Sequence, residues 1–386
     1  MRRNAGPTHL VFFIPEDWYV CSHRLPLVRA AAAEGWRVSV VTRVQDHAGP
    51  IRDAGAEVVP VGLRRGFQDP WSDGKGLAEL VRIYRRLRPD LLHQVTPKSV
   101  LYGSAAAALA GRPPVVNALA GLGYLYTATG PRARLARPAV TLALKAVLGS
   151  RRSWLIVQNE EDAGFFRDTL AVDPARISLI PGAGVDARAF APPAAPAPGP
   201  VRFVLPARML VEKGVAEFVE AAGMVRAEHP ATEFLLAGKS DPENPSGLTA
   251  ARLGAWHEQG VVTWLGHVAD MPGLLASCHA AVLPTYREGF PKALLEAAAA
   301  GLPLVASDVA GCRPICRPGR NGLLVAPRDV PGLAGAMSRL AADPGLRRSL
   351  GEGSRALVLE EFTEDRIAAL TLDLYRAVLD EGGAGA

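Results

Sequence analysis

Two acids stand in one short stretch, Tyr286-Arg-Glu288-Gly289-Phe290-Pro291-Lys-Ala-Leu-Leu-Glu296-Ala297, with seven residues between Glu288 and Glu296. A carboxylate accepts two hydrogen bonds at once, which suits it to a pair of neighbouring hydroxyls such as a sugar presents. Earlier in the chain, Arg208 and Lys213 lie five residues apart in Pro206-Ala-Arg208-Met-Leu-Val-Glu-Lys213-Gly214. They are cations at a helix start in an otherwise acidic half, and they fit a diphosphate better than a solvated face. The residues after Glu288 add a further anion-binding device. An apolar run ends at Leu283, a turn follows, Pro291 takes the place of a first helical residue, and Ala, Leu and Glu carry a helix to a Gly301-Leu302-Pro303 stop. Such a helix start turns unpaired N–H groups and the positive end of its dipole toward the loop, where phosphate is the natural guest. Glu296 on a surface helix would ordinarily be a solubilising acid. Leu294, Leu295 and Ala297 to Ala300 make this helix apolar nearly all round, so the acid sits in a helix built for burial.

The run from Glu288 to Ala297, continued by Ala300-Gly-Leu-Pro-Leu-Val-Ala-Ser307, resembles the signature of the retaining family 4 glycosyltransferases of GT-B fold. The resemblance implies an α/β protein of two Rossmann-like, parallel-sheet domains facing across a cleft. Residues 1–197 would bind the acceptor and 198–386 the nucleotide sugar, with a last helix at about 362–380 crossing back to the first domain. In that family the residues matched by Arg208 and Lys213 lie on the donor's phosphates. Glu288 would meet the donor sugar beside Gly289, Phe290 and Pro291, and Glu296 would hold the ribose hydroxyls. The base-binding segment falls near Leu265 to Val268, which contains Gly266 and His267. A looser match runs from His93-Gln-Val-Thr-Pro-Lys98 through Tyr102-Gly103-Ser104 to Gly121-Leu-Gly123. It looks like the acceptor side of members that extend lipid-linked saccharides in bacterial surface polysaccharide synthesis, and it implies a UDP-sugar donor and an undecaprenyl-diphosphate-linked acceptor.

One departure stands out. Many family members carry a histidine at the end of the strand that here leads into Ala118-Leu119-Ala120, and this chain has none there. No catalytic histidine carries over by position; His93 lies one strand earlier and reads more readily as a core or loop residue. In retaining transfer the acceptor attacks from the leaving-group face and the departing phosphate takes its proton, so no protein base is demanded. The chain also lacks an Asp-x-Asp pair to hold a metal. Arg208, Lys213 and the N–H groups near Gly289 and Phe290 would then neutralise the leaving diphosphate in a closed, water-poor site, and the reading calls for no metal or other cofactor. A nucleotide-sugar epimerase or hydrolase of the same architecture remains the alternative; it would consume donor without an acceptor. Gly182-Ala-Gly184-Val-Asp-Ala187 imitates a dinucleotide fingerprint, but the chain runs on into Pro192-Pro-Ala-Ala-Pro-Ala-Pro-Gly-Pro200 with no helix, which counts against a dehydrogenase.

The elements that must position these residues alternate. Leu10 to Ile14 reads as a strand, Pro15 to Arg24 as a loop, Leu25 to Glu34 as a helix and Trp36 to Thr42 as the next strand, a parallel βαβ unit. Ligands in such sheets bind beyond the carboxyl ends of the strands, so Ser22, His23 and Arg24 become acceptor-side candidates, although His23 and Arg24 serve equally as a cover for the helix start. Strands at Val58 to Val61, Leu91 to Val95, Val115-Val116, Trp154 to Val157 and Ile177 to Ile180 complete the first half. The second half follows with strands at Val201 to Leu205, Phe234 to Ser240 and Val261 to His267, and ends in an amphipathic helix from Phe362 to Leu379.

At 386 residues the chain suits two domains, and 49% hydrophobic with 21% charged residues is globular. No apolar run reaches the roughly 18 residues of a membrane span, and the start shows no signal-peptide pattern, so a cytoplasmic protein is expected. Cys21, Cys278, Cys312 and Cys316 are too scattered for a disulfide framework and read as reduced, structural thiols. Charge is uneven: residues 1–200 hold 25 Lys/Arg against 16 Asp/Glu, and the remainder 18 against 22. Between Asp90 and Glu160 there is no acid, while Lys98, Arg112, Arg132, Arg134, Arg137, Lys145, Arg151 and Arg152 flank an apolar run from Pro138 to Leu148. That pattern fits peripheral attachment at the anionic inner face of a membrane, and equally an ordinary helix with solvated ends. Nucleic acid is not expected, since no basic run is interleaved with aromatics.

Overall fold

A computed structural model describes residues 6–63, 70–119, 131–193, 199–242 and 244–384, and every structural statement below is confined to them. The chain divides into two compact units, one of Met1–Ala183 with Glu364–Ala386 and one of Gly184–Thr363. It leaves the first unit inside the Gly182-Ala-Gly184 turn and returns to it at Glu364.

The first unit is built on a parallel sheet of β1 (His9–Glu16), β2 (Arg37–Arg43), β3 (Ala56–Pro60), β4 (Leu91–Val95), β5 (Val115–Ala118), β6 (Ser153–Val157) and β7 (Ile177–Leu179). Their order is β3-β2-β1-β4-β5-β6-β7, so the winding reverses between β1 and β4. Leu10 to Ile14 are all fully buried, as a strand covered on both faces by helices must be. Helices Leu25–Ala33 and Glu364–Ala384 pack Leu27, Val28, Leu372, Tyr375 and Val378 onto one face, against Leu10, Phe12 and Ile14. Helix Pro70–Leu87 brings Leu80 and Tyr84 onto the other, against Val11 and Phe13.

The segment Pro15 to Arg24, expected as a loop, is instead the end of β1 followed by helix Asp17–His23. The cause is tertiary. The buried Asp17 carboxylate accepts from Gln45 N at 2.6 Å, His47 N at 3.1 Å and Trp18 N at 2.7 Å, while Val20 enters the core. None of these partners except Trp18 is local in sequence.

The second unit holds β8 (Arg202–Pro206), β9 (Glu233–Ala237), β10 (Thr263–Gly266), β11 (Ala280–Leu283), β12 (Leu304–Ser307) and β13 (Gly322–Val325). They are parallel in the order β10-β9-β8-β11-β12-β13, with the reversal between β8 and β11. Such a switch point leaves a crevice beyond the strand ends, and it is there that open α/β sheets bind ligands. The loops after β8 and β11 carry Arg208, Lys213 and Glu288. Elsewhere in this unit, Arg355 of helix Pro344–Leu357 directs one guanidinium nitrogen to Ala299 O at 2.8 Å and Ala187 O at 2.7 Å.

Candidate functional site

Beyond β8 the chain makes a single 3-10 turn, Val211–Lys213, and enters helix Val215–Glu228 through Gly214. Gly214 has φ +70°, and a Cβ there would lie 2.0 Å from Pro284 O, so only glycine lets this turn sit against the end of β11. The contact is then sewn from the other side. Thr285 Oγ1 reaches Glu212 O at 3.0 Å, and Tyr286 N donates to the same carbonyl at 2.8 Å. These bonds fix the two loops in register, and Lys213 Nζ forms an ion pair with Glu288. The pair is shielded without being sealed, its side chains 18% and 15% exposed.

Gly311, in the loop after β12, closes the floor. A Cβ on it would stand 2.4 Å from Glu288 O and 2.6 Å from Gly289 O, so the backbone that presents Glu288 rests on bare glycine. Phe290 is buried with its ring edge-on to Phe362 at 5.4 Å between centroids, which anchors the loop from below. Pro291 is the cap of the signature helix rather than its first residue; the helix is Lys292–Ala299. Its fixed ring and missing N–H suit either place. Leu294, Leu295 and Ala297 to Ala299 are buried, as their run of apolar types requires.

Glu296 is mostly covered, and burial pushes its carboxyl above the ordinary range while the Lys292 charge, with 3.4 Å between Lys292 Nζ and Glu296 Oε1, pulls it back. Arg208 is more open: 58% of its side chain is exposed, and it meets Asp241 at 3.3 Å. Of the four charged residues singled out in the sequence, then, Lys213 and Glu288 touch each other, whereas Arg208 and Glu296 each hold a different partner. Gly266 ends β10 with φ +65° and His267 follows it; β10 is the edge strand, three places from β11.

The acceptor-side candidates are scattered over the first unit. Ser22 Oγ lies 2.6 Å from His23 Nδ1, and the His23 ring stacks on Tyr19 at 4.3 Å. Arg24 and His93 are buried and line one cavity with His23. Lys98 lies inside the first unit. It is buried against Asp73 at 2.6 Å, and Tyr102 OH donates to the same carboxylate at 3.1 Å, so its charge is neutralised inside the fold. Gly121 and Gly123 lie outside the described residues. The cysteines are free, and Cys278, Cys312 and Cys316 are buried with thiols pushed up mainly by burial, the state of inert packing groups.

Sequence reasoning missed Asp241, Lys292, Asp73 and Gly311. Only Lys292 had a readable signal, its place four residues before Glu296 on a helix. The others depend on which loops the sheet order brings together.

The arrangement is a cation and a carboxylate held at a sheet switch point, ahead of a helix start. A diphosphate entering there would take over Lys213, and Glu288 would be released to accept hydroxyls. Comparisons with known proteins identify the family. Residues 9–151 match the glycosyl transferase 4-like family, and residues 200–343 match the family of glycosyl transferases group 1. The chain is 29% identical over 368 residues to N,N'-diacetylbacillosaminyl-diphospho-undecaprenol alpha-1,3-N-acetylgalactosaminyltransferase of Campylobacter jejuni, covering 92% of this chain and 95% of that protein. It is 27% identical over 320 residues to UDP-Gal:alpha-D-GlcNAc-diphosphoundecaprenol alpha-1,3-galactosyltransferase of Escherichia coli, covering 78% and 79%. Among solved structures, sucrose-phosphate synthase from Thermosynechococcus elongatus superposes with TM-score 0.79 at 23% identity, over 97% of this chain and all of that one. The two matched segments, the full-length relatives and the paired parallel sheets lead to one conclusion: the chain belongs to the glycosyltransferases of GT-B fold, with a glycosyl transferase 4-like first half and a group 1 second half.

Proposed function

We propose that this glycosyltransferase moves a hexosyl residue from a UDP-sugar to a saccharide carried on undecaprenyl diphosphate, with retention of anomeric configuration and without a metal. The observation that carries the reading is the Lys213–Glu288 pair at the β8/β11 switch point. Lys213 and Arg208 take the donor's diphosphate, Glu288 with Gly289, Phe290 and Pro291 takes the transferred sugar, and Glu296 takes the ribose. Gly266 and His267 border the base. As the bond to the anomeric carbon breaks, charge grows on the leaving diphosphate, and preplaced cations stabilise that growth most. The departing phosphate oxygen accepts the proton of the attacking hydroxyl, so the absence of a histidine near Ala118 is no obstacle. The unit of Gly184–Thr363 serves as the donor domain and the unit of Met1–Ala183 with Glu364–Ala386 as the acceptor domain.

Support for the acceptor comes from the Campylobacter jejuni and Escherichia coli relatives, both named for saccharides on diphospho-undecaprenol and for alpha linkages, the product of retention from an alpha-linked donor. The Escherichia coli relative is named for UDP-Gal, which supports a uridine nucleotide. A surface role at the inner leaflet is supported by helix Pro131–Leu148, where Leu142 is 70% exposed beside exposed Lys145. Among the described residues no helix is long and apolar enough to cross a membrane.

The test is a screen of radiolabelled UDP-sugars with a chelator present, against undecaprenyl-diphosphate saccharides and soluble sugars. Transfer to the lipid-linked acceptor with an alpha product is expected. Donor consumption that needs no acceptor would replace the reading with an epimerase or hydrolase, and a requirement for added divalent metal would remove its electrostatic basis.

A further inference from the structure

The cavity in the first unit has a property that its lining residues do not explain. Arg24 is 6% exposed, its Nε is buried without a partner, and its one side-chain hydrogen bond runs to His23 O at 3.2 Å. Guanidinium stays protonated in proteins, so this is a buried positive charge. Buried charges are ordinarily paired, and among the described residues no carboxylate lies within ion-pair distance of this one. Glu364 borders the same cavity.

His93 supplies a second donor at the same place. Its Nδ1 lies 2.7 Å from Tyr375 OH, and both residues are fully enclosed between β4 and helix Glu364–Ala384. Burial holds the Tyr375 phenol well above its usual range, so the hydroxyl keeps its proton. Nδ1 is the one partner of that hydroxyl among the described residues, which makes it the acceptor and places the imidazole hydrogen on Nε2. Nε2 is buried and has no partner among the described residues. Burial and the Arg24 charge together hold the ring neutral, so one ring nitrogen carries no proton. Helix Leu25–Ala33 also opens here, with Pro26 and Leu27 on the cavity wall, and its positive end adds to the field. Arg24, whose Nε is unpartnered among the described residues, and His93, whose Nε2 is likewise, line one space. Their complement is a small group that accepts hydrogen bonds and carries negative charge.

We propose that this cavity binds a single oxyanion of the phosphate class, held by Arg24 and by His93 Nε2–H. Tyr375 acts as a positioning residue that fixes the His93 tautomer. Two sources share this chemistry: free inorganic phosphate, and the diphosphate of a lipid-linked acceptor. The second source rests on the proposed transferase reaction.

The test uses the full chain saturated with UDP, which keeps phosphate from the donor side. Inorganic phosphate is added while the His93 Nε2 resonance is followed by nitrogen NMR. A saturable shift is expected in the wild-type protein, with affinity about tenfold weaker or worse in Arg24→Gln, where the charge-assisted bonds are lost. An unshifted resonance, or equal affinity in the variant, overturns the site. Should Arg24→Gln fail to fold, wild-type crystals soaked in selenate with UDP decide the matter: an anomalous peak in the cavity upholds the site and an empty cavity overturns it. Adding a short-chain prenyl-diphosphate saccharide separates the sources. Displacement of phosphate assigns the cavity to the acceptor, and joint occupancy assigns it to the free ion. Failure of the transferase reading would appear as absent turnover and would leave the phosphate titration unchanged.

Discussion

Lys213–Glu288 and Lys98–Asp73 are the same pair of chemical groups in two settings. The first lies at the end of two strands with side chains 18% and 15% exposed; the second lies between two helices at 4% and 7%. Tyr102 completes the inner pair by donating to Asp73 and by offering its ring to Lys98, 5.5 Å from Nζ to the centroid. Removing charges from water costs several kcal/mol each, and only a fully satisfied pair recovers that cost. A pair that still reaches water can exchange one partner for a ligand at less expense. The difference teaches that Lys213 is placed to change partners and Lys98 is placed to keep one.

Substitutions that remove each lysine sharpen the contrast. Lys213→Met should lower kcat by about 10²- to 10³-fold, the usual effect of deleting one transition-state donor, while the denaturant midpoint stays near that of wild type. Lys98→Met should do the reverse: an unpaired Asp73 is left inside the fold, and stability measured in urea should fall by about 3–5 kcal/mol. The double variant Lys98→Met/Asp73→Leu should recover most of that loss, because it removes both charges at once. Wild-type turnover in Lys213→Met, or wild-type stability in Lys98→Met, would erase the distinction between the two pairs.

Smaller effects come from single buried ionisable groups. The Glu296 carboxyl is raised by burial, and only its ionised form accepts two hydroxyl hydrogen bonds. UDP affinity should therefore strengthen as pH rises through that raised value, and Glu296→Gln should show a flat profile with affinity about tenfold weaker at neutral pH. His93 bears on stability instead. Its folded imidazole refuses a proton that the unfolded one takes up below about pH 6.5, so stability is complete above that pH and lost on acidification. His93→Gln should make the decline shallower without abolishing it, since His9 is lowered by burial as well. The least effect is expected from Asp241→Ala. Its partner Arg208 is largely exposed, and such pairs contribute up to about 1 kcal/mol in urea titrations.

The fold was legible where its signals were local. The alternation of strand and helix, the apolar helix after Glu288, and the stop at Gly301 all follow from periodicity and from glycine and proline. The site was legible to the extent that its residues share a segment: Glu288 to Glu296 could be read as a unit because one loop and one helix hold them. Lys98 was read without Asp73, its ion-pair partner 25 residues upstream on another helix. Arg208 was assigned to phosphate with no knowledge of Asp241, which reaches it from the end of a neighbouring strand. Helix Asp17–His23 was hidden for the same reason, its anchor being backbone N–H groups near Gln45 and His47. Spacing along a chain reports on neighbours in sequence; which loops meet is decided by the order of strands in the sheet.

Arg355 has a mechanical consequence. By gripping the carbonyl that ends the signature helix together with one from the turn at Ala187, it makes the two a single piece. The turn at Ala187 and the helix that carries Glu296 therefore move together or not at all.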